Sequence, residues 1–356
     1  MSDAYLMLAV AEGFGESPAA AILRPDVDPD AVLAAPPAPP DVPPRVARQL
    51  QRPDLASRAA AIHRRAEDLG LRVMTPRDHD WPVRMSEQPV APLVLFVRGD
   101  PCALTRAPAA ALVGSRTPTP YGIDAASELA RSLADAGTVL WSGLARGVDR
   151  LAHEAAVRGG MPTVAVLAGG LDRVYPGEHV GLADAIVAGG GALISELPPG
   201  RRARRGHFIR RNRLLAAGPR AVVVVEGSLA SGALHTARFA ADCDTDVFAV
   251  PGPWQSERSQ GCHRLIAEGA GIVESPGALL QALGLGAAEA RTATHCQLRA
   301  EERAILTQLT AGPRPGDLLQ REAGLDRAAF LRALFGLQQR QRITRLPGDL
   351  WRAVGR

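Results

Sequence analysis

ALVGSR, at residues 111–116, is the first of five apolar runs that each end in a loop of Gly, Ser or Arg. The other four are VLWSGLARG at 139–147, VAVLAGG at 164–170, VVVVEG at 222–227 and VFAVPG at 247–252. Such runs are typical of strands that are buried on both faces of a parallel sheet. Because the loops of a parallel sheet can present backbone amides to phosphate, we expect a ligand at the carboxyl edge of this sheet.

The segments between the runs alternate with them at the spacing of repeated βα units. We predict strands at 109–113, 138–142, 163–168, 191–195, 221–225 and 247–250, and helices at 122–136, 149–158, 180–189, 231–242 and 262–269. Asp149 and Ser231 are placed to cap two of these helices. The fold class predicted is α/β, with an extended Rossmann-like, doubly wound parallel sheet at residues 76–283.

Smaller units flank this sheet. Residues 1–75 predict a small helical, SAM-like domain that six prolines between Pro36 and Pro44 interrupt. A Gly/Ala-rich linker at 284–296 leads to residues 297–356, where three helices and a hairpin predict a winged-helix-like domain. We expect the third helix to be capped by Asp326 and to bury Phe330, Leu331, Leu334 and Phe335 on one face.

The charge balance says little about partners, but the identity of the basic residues matters. The 356 residues contain 41 basic and 37 acidic side chains, a net charge of +4, and every basic residue is Arg. Lysine-dependent chemistry is therefore excluded, whereas the planar fork of Arg suits phosphate groups and stacks on bases.

The four cysteines form no CxxC pair. The sequence therefore predicts no metal site, no disulfide framework and no cofactor bound through cysteine. The amino terminus lacks the basic region of a signal peptide, and no apolar run is long enough to span a bilayer. We expect a soluble, cytoplasmic protein without a membrane partner.

Two Gly-rich loops are candidate phosphate sites. Gly114 and Ser115 follow a strand directly, with Arg116 placed to neutralise an anion, although a tight turn with a solvated Arg explains the same residues. SGLARGVDRLAH, at 142–153, opens a helix with a loop of which Ser142, Gly143, Arg146 and Gly147 are the candidates. Asp149 and His153 lie one turn apart, and we interpret them as cap and packing, with an acid/base pair as the alternative.

RRARRGHFIRRNR, at 201–213, is the most charged window, with seven Arg, a His and a Phe but no acid. A charge run is usually a solvated face. Arginines interleaved with rings are also typical of a single-stranded nucleic-acid site, since cations follow phosphates and rings stack on bases.

Glu226 ends a buried strand and precedes a helix that begins near Ser231, Gly232 and Thr236. A carboxylate at that point is either catalytic, as in nucleotide hydrolases, or holds a ligand or a loop. Because no second carboxylate completes a hydrolytic pair, we favour a ligand-orienting or structural role.

Taken in order, eight blocks across about residues 76–275 resemble the DNA-processing protein A family, DprA or Smf. The blocks are VGSR, SGLARGVDRLAH, VAVLAGGLDRVYP, LISELPPG, FIRRNRLLA, VVVVEGSLASGALHTA, VFAVPG and GCHRLIAEGA. The resemblance implies a non-enzymatic homodimer that binds single-stranded DNA and loads the RecA recombinase on it during natural transformation or recombination.

The resemblance also implies DNA-binding residues in the GSR, SGLARG, RNR and SGALHT blocks and no catalytic residue. The arginine tract adds Phe208, the charge missing at Gly177 adds Arg173, and the strand end adds Glu226 as a ligand-orienting residue. The DNA-binding candidates are Gly114, Ser115, Arg116, Ser142, Gly143, Arg146, Gly147, Arg173, Phe208, Arg211, Asn212, Arg213, Ser231, Gly232 and Thr236.

This chain departs from the family pattern at four places, one of which is the pair Asp244 and Thr245, where a Gly-Arg pair commonly precedes the VFAVPG-type strand. Gly177 stands where many relatives have a basic residue, His179 stands where they have Asn, and His235 replaces an Ile. We expect Arg173 or one of the arginines at 201–205 to supply the charge that Gly177 lacks.

Two other functions are compatible with parts of the sequence. A nucleotide phosphoribohydrolase of the lysine-decarboxylase-like class uses a similar sheet with a glutamate, but its PGGxGTxxE signature does not occur here. A regulator that binds duplex DNA through the tail is the third hypothesis. The GxGxxG fingerprint is also missing, which makes a dinucleotide cofactor an unsuitable ligand.

Overall fold

The computed structural model of this chain describes residues 3–13, 28–37, 39, 42–88, 91–285, 300–309, 312–339, 343–346 and 350–353. The chain divides into two compact units, Met1–Gly286 and Ala287–Arg356.

The first unit is built on one large, mostly parallel sheet, which has nine strands in the described residues. The strands are β1 (Arg72–Met74), β2 (Leu95–Gly99), β3 (Ala109–Val113), β4 (Val139–Ser142), β5 (Thr163–Val166), β6 (Ala192–Ser195), β7 (Ala221–Val224), β8 (Asp246–Ala249) and β9 (Gly271–Ile272). Their order across the sheet is β1-β2-β6-β5-β4-β3-β7-β8-β9. Across the sheet from β6 through β5, β4, β3, β7 and β8 to β9, each strand pairs parallel with its neighbour. At the other edge, β2 pairs antiparallel with both β6 and β1.

Helices cover both faces of the sheet, as a parallel sheet requires. They are α5 (Pro120–Asp135), α6 (Val148–Arg158), α7 (Val180–Ala188), α8 (Arg205–Ala217), α9 (Gly232–Ala241), α10 (Gln260–Ala267) and α11 (Pro276–Ala282). Leu214 of α8 and Leu234 of α9 belong to one core cluster, and Leu129 of α5 and Leu151 of α6 belong to another. Alternate residues of β7 divide between the two clusters, with Val222 in the first and Val223 in the second.

The strand order creates a switch point beside β3. The chain runs from β3 through β4 and β5 to β6 on one side, and then crosses through α8 to β7 on the other side of β3. Ligands of open α/β sheets bind in the crevice at the carboxyl ends of the strands at such a point. The fold therefore places the ends of β3 and β7 around one crevice.

The N-terminal helices pack on the same sheet. They are α1 (Ala4–Glu12), α2 (Pro29–Ala34), α3 (Pro44–Leu50) and α4 (Leu55–Asp68). Leu6 and Ala59, which are both fully buried, share a core cluster with Phe96, Ala165 and Leu193 of the sheet. The division of the chain at residue 75 stays a prediction, and these helices share their core with the sheet domain.

The predicted fold class is confirmed, and each predicted strand and helix of the sheet domain agrees with an observed one to within two residues. The predictions lack α11 and three strands, β1, β2 and β9. The strands were missed because pairing decides them, and β1 is formed only by its pairing with β2. Residues 76–100 suggested only an extended approach, but β2 within them pairs with β6 and extends the sheet. The short β9, paired with β8, was not predicted either.

The second unit has the helices and the small sheet of a winged-helix domain, as predicted. Its helices are α12 (Ala300–Leu309), α13 (Gly316–Glu322) and α14 (Arg327–Gln339), and its strands are β10 (Arg314–Pro315), β11 (Ile343–Leu346) and β12 (Leu350–Ala353). The Asp326 carboxylate accepts from the Ala329 amide at 2.8 Å, which confirms the predicted cap of α14.

One expectation about this unit was wrong. Phe330 and Leu334 are buried in its core, but Leu331 and Phe335 are 55% and 64% exposed. The four apolar residues cover a wider arc of α14 than one small unit can bury. Residues 286–296 of the predicted linker lie outside the described residues.

No helix within the described residues is long and apolar enough to cross a membrane.

Candidate functional site

A cleft of about 870 Å³ opens at the predicted carboxyl edge of the sheet. It is lined by the loops after β3 and β7, by one side of α8 and by the start of α9, and we call it the switch-point cleft. Its main lining residues are Gly114, Ser115, Arg116, Thr117, Arg205, Phe208, Ile209, Arg211, Asn212, Ser231, Gly232, His235, Thr236 and Arg258.

The loop after β3 is held in a tight conformation at the floor of this cleft. A Cβ on Gly114 would lie 2.8 Å from Cγ2 of Val148, so only Gly fits there. The Ser115 hydroxyl accepts from the Thr117 amide at 3.2 Å, and the Ser115 carbonyl accepts from the Val148 amide at 3.2 Å. These bonds fix the backbone from which Arg116 projects.

Arg116 is exposed and stacks on an aromatic pair. Its guanidinium carbon lies 5.2 Å from the centre of the Phe208 ring, and the ring of Tyr175 meets that of Phe208 edge to face at 5.9 Å. A guanidinium over a ring keeps its N–H groups at the edge available for an anion. The cluster of Arg116, Phe208 and Tyr175 can therefore offer a cation for a phosphate and rings for a base.

The SGLARG loop is held by buried hydrogen bonds to the side chains of Arg211 and Asp149. Arg211 is 6% exposed and donates to the carbonyls of Gly143 and Val166. The Asp149 carboxylate accepts from the Gly143 amide at 3.1 Å and from the Ala145 amide at 3.4 Å. Burial lowers the pKa of Arg211 to about 10, while burial raises the pKa of Asp149 and the nearby Arg211 opposes that rise.

These contacts change the predicted roles of several loop residues. Ser142 is fully buried and donates to the Leu112 carbonyl at 2.7 Å, and a Cβ on Gly143 would meet the Arg211 guanidinium. Gly147 has a φ of 74°, and a Cβ there would meet the Ser115 carbonyl. These predicted DNA-binding residues of the loop therefore act by shaping the floor of the cleft.

Asp149 and His153 do not form an acid/base pair. His153 is fully buried, and its Nδ1 lies 2.8 Å from the Thr163 hydroxyl, which itself donates to the Leu140 carbonyl. Nδ1 must therefore be the donor to that hydroxyl, which leaves Nε2 unprotonated. Asp149 lies in the first turn of α6, while Gly147 occupies the cap position.

Arg146 and Arg173 do not line the switch-point cleft in the described part of the chain. Arg146 instead forms a two-pronged ion pair with Glu178, at 2.6 and 2.7 Å, beside a second cleft of about 620 Å³ that Arg116 also lines. This pairing lowers the pKa of Glu178. Arg173 is exposed on the loop after β5.

The RNR residues of α8 separate because successive residues turn by about 100° around a helix. Arg211 and Asn212 face the cleft, and the Asn212 amide donates to the Gly232 carbonyl at 3.0 Å. Arg213 lies on another side, is 5% exposed and pairs with Glu196. This corrects the expectation that Arg213 contacts DNA.

The start of α9 forms the opposite wall. The Ser231 hydroxyl accepts from the Ala233 amide at 3.3 Å, so Ser231 caps the helix as predicted. Ser231, Gly232 and Ala233 all line the cleft. The N-terminus of this helix therefore offers its partial positive charge to an anion in the cleft.

Glu226 has the structural one of the two roles that the sequence favoured. Its carboxylate accepts from the Thr119 amide at 2.9 Å and from the Thr119 hydroxyl, and its side chain packs against Gly122. It is 3% exposed and is not among the described residues that line the cleft. Glu226 therefore holds the N-terminus of α5.

Sequence reasoning missed Arg258. Its guanidinium donates to the Thr117 hydroxyl at 2.8 Å and to the Ser115 hydroxyl at 3.3 Å, and its carbonyl accepts from the Gly227 amide at 2.7 Å. Arg258 follows β8, so its place beyond a strand end was the available signal. It joins the loops after β3, β7 and β8, and it lines the cleft beside the acidic side chain of Glu257.

The places where the chain departs from the family pattern also have positions in the structure. A Cβ on Gly177 would meet nothing within 4 Å, so this position is open. His179 is buried and its Nδ1 lies 2.9 Å from the Leu144 carbonyl, while His235 lines the cleft. Arg205, from the group at 201–205, lines the cleft as well.

No group of three or more His, Cys, Asp or Glu suited to a metal occurs in the described residues.

Comparison with known proteins gives consistent results. The family model of DNA recombination-mediator protein A matches residues 72–284, and that of the DprA winged helix domain matches residues 288–349. A putative DNA processing protein DprA of Mycobacterium tuberculosis is 43% identical over 241 residues, which is 63% of this chain and 62% of that protein. The match therefore spans less than two thirds of the length of this relative.

Two solved structures are similar as well. The X-ray structure of DNA processing protein A from Streptococcus pneumoniae aligns with a TM-score of 0.66 and 30% identity, over 79% of this chain and 98% of that one. DNA processing protein A from Helicobacter pylori, whose structure concerns its single-stranded DNA binding mode, aligns with a TM-score of 0.54 and 29% identity. That alignment covers 60% of this chain and 95% of that one.

Proposed function

This chain belongs to the DNA recombination-mediator protein A family, and from that premise we propose that its switch-point cleft binds single-stranded DNA. The observation that carries the proposal is the stack of Arg116 on Phe208 at 5.2 Å, opposite the N-terminus of α9. A phosphate would lie between the guanidinium and the amides of α9. A neighbouring base would stack on the exposed ring of Tyr175.

Single-stranded DNA fits this cleft better than duplex DNA because its bases are unstacked and free to meet rings. Phe208 is half-buried and Tyr175 is 55% exposed, so the aromatic surface is placed and accessible. The contacts are to phosphates and base faces, which every nucleotide has. Binding is therefore expected to be tolerant of sequence and strongly dependent on salt.

From the residues that line the cleft with a donor or a ring, the proposed contacts are Arg116, Arg205, Phe208, Asn212, Ser231, Gly232, Thr236 and Arg258. Ser142, Gly143, Asp149 and Arg211 act by positioning the floor of the cleft.

Two finer proposals rest on the family resemblance. The protein acts as a homodimer, and it transfers its DNA strand to the RecA recombinase rather than reacting with it. Assembly of RecA on DNA coated with a single-strand binding protein, followed with and without this protein, tests the second proposal. An unchanged assembly rate would contradict it.

Fluorescence anisotropy with labelled oligo-dT, in competition with unlabelled duplex, tests the binding mode. We expect the protein to bind the single strand with higher affinity than the duplex at both of two salt concentrations. Phe208→Leu, which keeps apolar volume but removes the ring, should weaken binding by about 1–3 kcal/mol. Phe208→Tyr, which keeps the ring, is the matched control and should bind like the parent. Preference for duplex would refute the proposal.

The hydrolase alternative is not retained, because the carboxylate that it requires is occupied by Thr119.

A further inference from the structure

A basic cavity separate from the two clefts described above lies where the N-terminal helices meet the loop between β6 and α8. Its volume is about 520 Å³, and we call it the N-terminal arginine cavity. Arg45, Arg58, Arg65 and Arg201 line it, together with Gln49 and Gly200.

Several cations line this cavity. Among the described residues that line it, none is Asp or Glu. Asp172 accepts from the Gly200 amide at 2.8 Å and so holds the loop, but it does not line the cavity in the described structure. Glu12, between the lining residues Ala11 and Gly13, is 6% exposed, and burial raises its pKa to about 8, so it is largely uncharged at neutral pH.

The arginines come from elements that packing fixes in place. Arg58 and Arg65 lie on α4, whose Ala59 and Ala66 are fully buried, and Arg58 donates to the Gln49 side chain at 3.0 Å. The Arg65 guanidinium would be 3.4 Å from a Cβ on Gly200, which has a φ of 89°. Helix and loop therefore meet closely, and the cations share one opening.

A short arginine tract connects this cavity with the switch-point cleft. Arg201 lines the cavity, and Arg205 lines the cleft. Four residues can span at most about 14 Å, the length of a few nucleotides of extended strand. Arg202 and Arg204, between them, are exposed. A strand leaving the cleft along this tract would meet the cavity next.

We propose that the N-terminal arginine cavity is a second binding site for the phosphates of the same DNA strand, so that the N-terminal helices extend the track that begins in the switch-point cleft. This inference rests on the proposed function. It assigns a nucleic-acid contact to helices whose other role is packing on the sheet. The site binds without base specificity because it contacts only phosphates.

Oligo-dT of two lengths tests the proposal on the full chain. A strand of roughly six nucleotides fills the cleft alone, whereas one of roughly twenty-four reaches beyond it, within the range of known single-strand grooves. Arg45→Ala/Arg65→Ala should bind the short strand like the parent but the long one roughly tenfold more weakly. Its salt slope on the long strand should fall by about 1.4, or about 0.7 for each phosphate that an arginine no longer neutralises.

Controls separate this proposal from its premise. Arg64→Ala removes an exposed charge of the same helix outside the cavity and should change neither strand's affinity. Thermal unfolding of the double variant should match the parent, since both residues are exposed. Parent-like affinity and slope of the double variant on the long strand would overturn the second site while leaving the cleft intact. Failure of the parent to bind either strand would instead refute the proposed function.

Discussion

At the scale of single residues, charge and burial divide the arginines of the cleft into two kinds. Arg116 is exposed on a ring and can meet a ligand, whereas Arg211 is buried with its donors on two loop carbonyls. Burial of this guanidinium would be costly without these two carbonyl acceptors. Substitution of Arg211 therefore tests the fold of the loop as much as it tests binding.

His153 gives the fold a dependence on acid pH. Burial, followed by the charges of His179 and Arg211, lowers the pKa of His153 to about 3 from an ordinary 6.5. Nε2 has no hydrogen-bond partner in the described structure, so a proton there would be a buried, unsatisfied donor. The unfolded chain takes up this proton below about pH 6.5, but the folded chain does so only near pH 3.

The contribution of His153 to stability is thus complete above about pH 6.5 and is lost as the pH falls toward 3. The free energy of unfolding should decline by up to about 1.4 kcal/mol per pH unit in this window from this residue alone. Urea unfolding of the parent and of His153→Asn, which retains a donor toward Thr163, measures the difference. Equal pH slopes for both proteins would contradict the assignment.

At the scale of elements, the two switch-point loops are fixed by neighbours that sequence patterns do not reveal. The run of β7 showed that Glu226 follows a buried strand, but not that its carboxylate meets Thr119 at the start of α5. That contact depends on β7 lying next to β3. Strand order is a property of the whole sheet, so the local sequence could not specify it.

Glu226→Gln should therefore loosen the start of α5. It replaces a charged acceptor that binds an amide and a hydroxyl, and we expect a loss of about 1–3 kcal/mol in the free energy of unfolding. Asp124→Asn is the matched control, because it changes the same charge at an exposed position of α5 and should cost only a few tenths. A parent-like denaturation midpoint for Glu226→Gln would count against this role.

The same reasoning explains which site residues sequence could predict. The Gly-rich loops and Ser231 were found because strand ends and caps have short, local signals. The orientation of α8 could not be predicted in this way, because it depends on how the helix is rotated on the sheet. In that rotation Arg211 and Asn212 face the cleft, while Arg213 contacts Glu196. Arg258 carried no motif of its own and is recognised only by the loop that it joins.

At the scale of the whole molecule, a net charge of +4 hides a concentrated distribution. Several arginines line the switch-point cleft and the N-terminal arginine cavity, and the tract at 201–205 lies between them. Many acids elsewhere form ion pairs on the surface, as Asp184 does with Arg98. The alternation of apolar runs and helices was enough to predict the sheet. It could not predict that the N-terminal helices share a core with it, because that packing joins residues far apart in the chain.

The described residues that line the switch-point cleft all belong to the first unit. A chain truncated after residue 285, which keeps the first unit essentially whole, should bind oligo-dT within about threefold of the parent. Circular dichroism confirms that the truncated chain is folded. Loss of all single-strand binding in a folded truncation would place the function in the tail and would favour the duplex-binding hypothesis.

Arg116→Ala is the sharpest test of single-strand binding in the switch-point cleft. Arg131→Ala is its control for removal of a surface charge, since Arg131 pairs with Asp135 outside the cleft. Titration of labelled oligo-dT at several salt concentrations gives affinity and salt slope together. We predict weaker binding for Arg116→Ala on every base composition, with a slope lower by about 0.7, and parent-like values for Arg131→Ala. Unchanged affinity and slope for Arg116→Ala would show that the strand does not bind in this cleft.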